Sequence, residues 1–211
     1  MIPLILKLKK ARHKEVARAQ DIIVEGLYTV FEKAVLHGGT AIWRCYKGNR
    51  FSEDVDVYLP KDTLKINALF GNLEKKGFAI IKKKIGENSL FSTLQLSSVT
   101  VRFEAVFKLK GGSLKEYETA DGNLITIYAL TPEELVKEKI NAYLARSKIR
   151  DLYDIFFLLR HVKDKDEIVK ELGKLIRNFK SPEDKEDLKV LIITGLVPDV
   201  KSMLEYIRRW V

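Results

Sequence analysis

The 211-residue chain has one cysteine, Cys45, and three histidines. One thiol cannot form an internal disulfide, and so few soft ligands argue against a structural zinc site. No apolar run approaches the roughly 18 residues that span a bilayer, so no integral membrane segment and no membrane partner are expected. Twelve glycines and five prolines are too few for a collagen-like or linker-rich chain. The opening Met1-Ile2-Pro3-Leu4-Ile5-Leu6 is apolar, but basic residues follow it. A secretory signal has the reverse order and a small-residue cleavage site, so the expected compartment is the cytoplasm.

Apolar side chains and charge are plentiful. Hydrophobic residues make up 46% of the chain and charged residues 32%, enough apolar material for a folded core and against a disordered chain. Lys plus Arg number 38 against 29 Asp plus Glu, a net charge of +9, which favours an anionic partner such as nucleic acid or a nucleotide. The excess is uneven. Lys7, Lys9, Lys10, Arg12, Lys14 and Arg18 crowd the first 20 residues against Glu15 alone, and Lys82-Lys83-Lys84 form a second run. Either run can be a solvated face or a contact to a phosphate backbone.

Hydrophobic periodicity predicts a helix over 12–34, a short extended stretch at 35–37 and a helix over 40–47 with Thr40 as its N-cap. A strand over 54–59 and a helix over 61–76 follow, then strands over 78–85, 90–96, 99–107 and 124–129. At Thr131-Pro132-Glu133-Glu134 the character changes. Thr131 as cap, Pro132 at the first helical position and Glu134 at the third form a helix start. Beyond it only helical periods appear, over 132–147, 150–161, 165–178, 182–194 and 199–210. The expected fold is α/β (α+β): a mixed β-sheet domain with flanking helices over 1–130, then an all-helical domain over 131–211.

The chemistry concentrates in Gly38-Gly39-Thr40 and, after thirteen intervening residues, Asp54-Val55-Asp56. Residues two apart on a strand share a face, so Asp54 and Asp56 lie side by side while Val55 and Val57 enter the core. Two adjacent carboxylates repel each other, and a hard cation such as Mg²⁺ relieves that repulsion. A glycine pair opening a helix exposes backbone N–H groups to an anion, and Thr40 adds a hydroxyl. Glu104 is the candidate third carboxylate, because Val101, Phe103, Ala105 and Phe107 share one strand face and Arg102 and Glu104 the other. A cross-strand ion pair would explain Arg102 and Glu104 equally well.

His37-Gly38-Gly39-Thr40-Ala41-Ile42 … Arg50-Phe51-Ser52-Glu53-Asp54-Val55-Asp56 resembles the first motif of the nucleotidyltransferase AbiEii/AbiGii toxin family, a branch of the DNA polymerase β-like nucleotidyltransferase superfamily. Glu138-Lys139-Ile140-Asn141-Ala142 … Arg146-Ser147-Lys148-Ile149-Arg150-Asp151-Leu152-Tyr153-Asp154 resembles its second. The resemblance implies a nucleotidyltransferase-like sheet and transfer of a nucleoside monophosphate from an NTP with release of pyrophosphate. It implies an RNA acceptor such as a tRNA 3′ end and a cognate antitoxin.

By position, Gly38, Gly39 and Thr40 would hold phosphates, with Arg50 and Ser52 beside them. Asp54, Asp56 and Glu104 would bind two Mg²⁺ ions, with Mn²⁺ as a substitute, and Glu104 would act as the base. Lys139 would contact the triphosphate, and Asp151 and Asp154 would orient the basic residues or join the site. Lys139, Arg146 and Arg150 fall within about 40° of one another on one helix face, so an anion or carboxylates should face them. A salt-bridge network without direct chemistry is the other reading of these three. Nucleotide transfer to a protein side chain, and a catalytically silent binding module of the same fold, remain open alternatives.

Overall fold

The computed structural model describes residues 3–211; Met1 and Ile2, the start of the apolar opening, lie outside the described residues. The chain divides into two compact units, one formed by residues up to Lys47 with Phe51–Leu130, the other by Gly48–Arg50 with Thr131–Val211.

In the first unit a short helix α1 (Leu4–Lys7) and the long α2 (Ala11–Tyr28) precede β1 (Val35–His37), α3 (Gly38–Cys45), β2 (Val55–Leu59) and α4 (Thr63–Lys75). Strands β3 (Ala79–Ile85), β4 (Ser89–Leu96), β5 (Val99–Phe107), β6 (Ser113–Glu118) and β7 (Leu124–Ala129) complete it. The seven strands form one mixed sheet in the order β3-β4-β5-β2-β1-β7-β6, with β2–β5 and β1–β7 parallel. Strand periodicity divides its two faces. Val55, Val57, Leu59, Leu90, Leu94, Val101, Phe103 and Ala105 are buried on one face, and α4 adds Ile66, Leu69, Phe70 and Leu73 to that core. Phe70 meets Phe103 edge to face at 6.3 Å. Each Val, Leu, Ile or Phe side chain among them contributes roughly 1.5–3 kcal/mol on burial. The opposite face carries Asp56, Tyr58, Phe91, Thr93, Arg102 and Glu104, none of them buried.

Several elements depart from the periodic reading. The helix expected over 12–34 stops at Tyr28, where the β-branched Thr29 and Val30, weak helix formers, follow. Phe31 and Ala34 keep a helical spacing but are buried in a turn. Thr40 is not a cap. Gly38, at φ +69°, turns the chain directly out of β1, so α3 starts two residues early with His37 at the cap position. Strand β6 was not predicted: its sequence Ser-Leu-Lys-Glu-Tyr-Glu is half charged, and it forms by pairing with β7 at the sheet edge.

The second unit is helical: α5 (Pro132–Arg146), α6 (Ile149–Leu158), α7 (Val169–Arg177), α8 (Leu188–Leu191) and α9 (Val200–Arg208). The capping box at Thr131 and Glu134 forms as expected. The helix expected over 182–194 is reduced to a 3₁₀ turn at Lys185–Asp187 and the single turn α8. Backbone pairing takes the rest: Ile192 bridges Arg50, and Ile193 N–H donates to the Asn49 carbonyl at 2.7 Å. Among the described residues no helix is long and apolar enough to cross a membrane.

Candidate active site

Strand pairing aligns the acidic residues. Asp56 stands opposite Glu104 in the parallel β2–β5 register, and His37 stands opposite Asp56 across β1–β2. His37 stacks on Tyr58 at 4.2 Å, which fixes the ring beside the acids. Asp54, just before β2, forms a bidentate ion pair with Arg102 at 2.8 and 2.5 Å. The pair is partly solvent-exposed, and the bond to Asp54 raises the pKa of Arg102. Burial raises the Glu104 pKa, and the negative charge of Asp56 raises it further. Glu104 therefore holds a proton more strongly than an isolated glutamate.

Among the described residues, no three His, Cys, Asp or Glu side chains gather closely enough to form a metal cage. Asp54, Asp56 and Glu104 are grouped electrostatically, with Arg102 supplying the countercharge to Asp54. The donor set still suits a hard divalent ion. It is all oxygen, and its Asp56–Glu104 repulsion is the kind that a cation removes.

Gly38 holds the acids close to the start of α3. A Cβ on Gly38 would sit 2.3 Å from Asp56 Oδ2, so only glycine allows this approach. Gly39 and Thr40 are buried in the first turn of α3. The Thr40 hydroxyl donates to the Asp54 backbone carbonyl, tying α3 to the entry of β2. Gln20 of α2, fully buried, donates to the Ser52 carbonyl at 2.9 Å and approaches the Thr40 hydroxyl at 3.4 Å. Ser52 thus contributes its backbone to the support of this loop. Sequence reasoning missed Gln20 and the Arg102–Asp54 pairing. A polar Gln within the apolar period of α2 was the available signal for the first; nothing local signals the second.

In the second unit Arg50 binds Asp154 with two bonds of 2.8 Å. Lys139 reaches Asp154 at 2.7 Å and Asp151 at 3.5 Å, and Arg146 binds Asp151 at 2.7 and 2.8 Å. Asp151 and Asp154 are essentially inaccessible. Burial pushes the Asp154 carboxyl up, but Arg50 and Lys139 outweigh it and the net shift is downward. The sequence reading put Lys139, Arg146 and Arg150 on one helix face, although the helical periods 132–147 and 150–161 are separate. Ser147, in the left-handed region at φ 48°, ends α5 and sends Arg150 into α6. Arg150 is half-buried and has no ion-pair partner among the described residues.

The family "Nucleotidyl transferase AbiEii toxin, Type IV TA system" matches residues 23–194. Among solved structures the chain is similar to MenT4, a nucleotidyltransferase toxin from Mycobacterium tuberculosis H37Rv, at 18% identity and TM-score 0.66, covering 98% of this chain and 85% of that one. It is similar to JHP933 from Helicobacter pylori at 18% identity and TM-score 0.65, covering 95% and 90%. It also resembles the antibiotic-resistance factor ANT(2'')-Ia at 12% identity and TM-score 0.51, covering 76% and 91%. No curated protein matches the sequence. These structural likenesses support the nucleotidyltransferase-like fold expected from the sequence.

Proposed function

The chain belongs to the AbiEii nucleotidyl transferase toxin family, and from that premise we propose that it transfers a nucleoside monophosphate from an NTP to the terminal hydroxyl of an RNA such as a tRNA 3′ end. The enzyme is a nucleotidyltransferase. The type IV toxin–antitoxin description of the family supports a cognate antitoxin as its partner.

The observation that carries the reading is the alignment of Asp56 and Glu104 across β2–β5, with Asp54 beside them and Gly38 against Asp56. The acceptor oxygen attacks the α-phosphorus. A new P–O bond forms, the bond to the pyrophosphate oxygen breaks, and the hydroxyl proton moves to the Glu104 carboxylate. The raised proton affinity of Glu104 suits it to that role. Gly38, part-exposed at the start of α3, would turn the backbone there toward the donor phosphates, while the buried Thr40, bonded to the Asp54 carbonyl, supports the turn from behind. Asp54 and Asp56 would hold Mg²⁺, which when bound neutralises charge on the triphosphate and the leaving group. Arg102, paired with Asp54, keeps a cation beside these carboxylates.

The test is incubation with each α-labelled NTP together with total RNA and protein extract. Label in RNA, lost in Asp56→Asn, is the expected result. Label in protein would give the reaction a different acceptor, and no label with any NTP would overturn the reading.

A further inference from the structure

Cross-strand register draws a continuous line over the open face of the sheet. Lys84 of β3 stands opposite Phe91 of β4, Phe91 opposite Glu104 of β5, and Glu104 opposite Asp56 of β2. A parallel line joins Lys82 to Thr93 and Thr93 to Arg102, which reaches Asp54. Lys82, Lys84 and Arg102 are exposed, Phe91 and Thr93 are half-exposed, and Lys82 lies 5.1 Å over the Phe91 ring. The intervening residues face the core: Ser92 and Leu94 are fully buried, and Lys83 donates to Asn67 at 2.9 Å and lies over Phe70. The run of three lysines is therefore two side chains on one face and one on the other, as a pleated strand dictates.

We infer that this face of β3–β4–β5 is the track on which a single-stranded RNA acceptor lies. Its terminal hydroxyl sits at Glu104, a base upstream stacks on Phe91, and its phosphates meet Lys82 and Lys84. This track rests on the RNA acceptor proposed above. The chemistry runs in the right order along it. Strands lie about 4.8 Å apart, so Lys84 is about 10 Å from Glu104, within the reach of the last nucleotides of a strand. Cations at the far end attract phosphate, an aromatic ring in the middle offers a stacking surface that accepts any base, and carboxylates at the near end receive the hydroxyl. A duplex would not fit this role, because its bases do not present a free face for stacking.

The experiment uses the full chain and a fluorescent single-stranded RNA oligonucleotide with a free 3′ hydroxyl, its affinity measured across salt concentrations. NTP binding is followed separately by calorimetry. Lys82→Ala/Lys84→Ala should weaken RNA binding and flatten the slope of log K against log salt by about 1.4, roughly 0.7 for each phosphate contact. Phe91→Leu keeps an apolar side chain but removes the stacking face; it should weaken binding about 5- to 150-fold with little change in slope. Lys83→Ala should behave as wild type, and NTP binding should be unaltered in all three. If wild type binds the RNA and the double variant keeps its affinity and slope, the track is wrong while the RNA acceptor stands. Equal loss in Lys83→Ala would also overturn it. If wild type binds no RNA and labels only protein, the acceptor reading fails and the track with it.

Discussion

Asp54 and Asp56 look equivalent in sequence, but their surroundings make their removal opposite in effect. Asp56 faces Glu104 and raises its pKa, so Asp56→Asn relieves a repulsion; without added metal its thermal midpoint should hold or rise. Asp54 is bound by Arg102 in a partly exposed pair, so Asp54→Asn should leave stability flat or lower it by at most about 1 kcal/mol. Both should abolish nucleotide transfer, and a variant with near-wild-type turnover would remove its carboxylate from the site. Gly38 gives a second test at this scale. Gly38→Ala places a Cβ against Asp56 Oδ2 and forces an L-residue to φ +69°. The backbone strain alone is about 1–2 kcal/mol. Transfer should fall more than stability does, because Asp56 must move; comparing turnover with a denaturant midpoint separates the two.

Local signals and tertiary demand divide cleanly at the level of elements. The start of α5 is written locally: the Thr131 hydroxyl accepts from Glu134 N–H at 3.2 Å, and the Glu134 carboxylate accepts from Thr131 N–H at 3.1 Å. Thr131→Ala should cost about 1 kcal/mol, read from urea unfolding. The end of α5 lies where the helical periods 132–147 and 150–161 part, but without the usual terminating residue. Ser147 takes the left-handed conformation, a position where glycine is the common residue, and no glycine marks the break. The segment 182–194 has helical spacing, yet Ile192 and Ile193 pair with the backbone of Asn49 and Arg50. Strand β6 shows the converse, a segment with little apolar period that β7 draws into the sheet.

Over the whole molecule, ion pairs reach across long stretches of chain. Arg50 and Asp154 are 104 residues apart, and their pairing brings Gly48–Arg50 into the helical unit. Asp154→Asn would leave Arg50 and Lys139 facing a neutral amide inside the protein, which should cost about 3–5 kcal/mol at neutral pH. Lys139→Ala should cost less, because Arg50 still holds Asp154. The pH dependence has a definite sign. The folded-state pKa of Asp154 lies below its unfolded value, so its contribution is complete above the unfolded pKa, about 3.9, and is lost as pH falls through the folded pKa. The penalty of Asp154→Asn, measured by denaturant unfolding between pH 7 and 3, should shrink in the acid part of that range. A constant penalty would mean that packing, not charge, accounts for it.

The sequence by itself determined the order of the main elements, the valine-lined β2 strand with its acidic residues on the other face, the α5 capping box and the family. Those depend on spacing within a few residues and on residue types that leave the backbone little choice. The acid at 104 was legible as a polar residue on a strand, but its place opposite Asp56 depends on the parallel pairing of β2 with β5, which no local pattern encodes. The same holds for Arg102 on Asp54 and Gln20 beneath Thr40. Tertiary structure decided these because each depends on which distant strand or helix lies alongside. Neighbour choice is set by burial summed over the whole core, whereas a local period records only which face of an element turns inward.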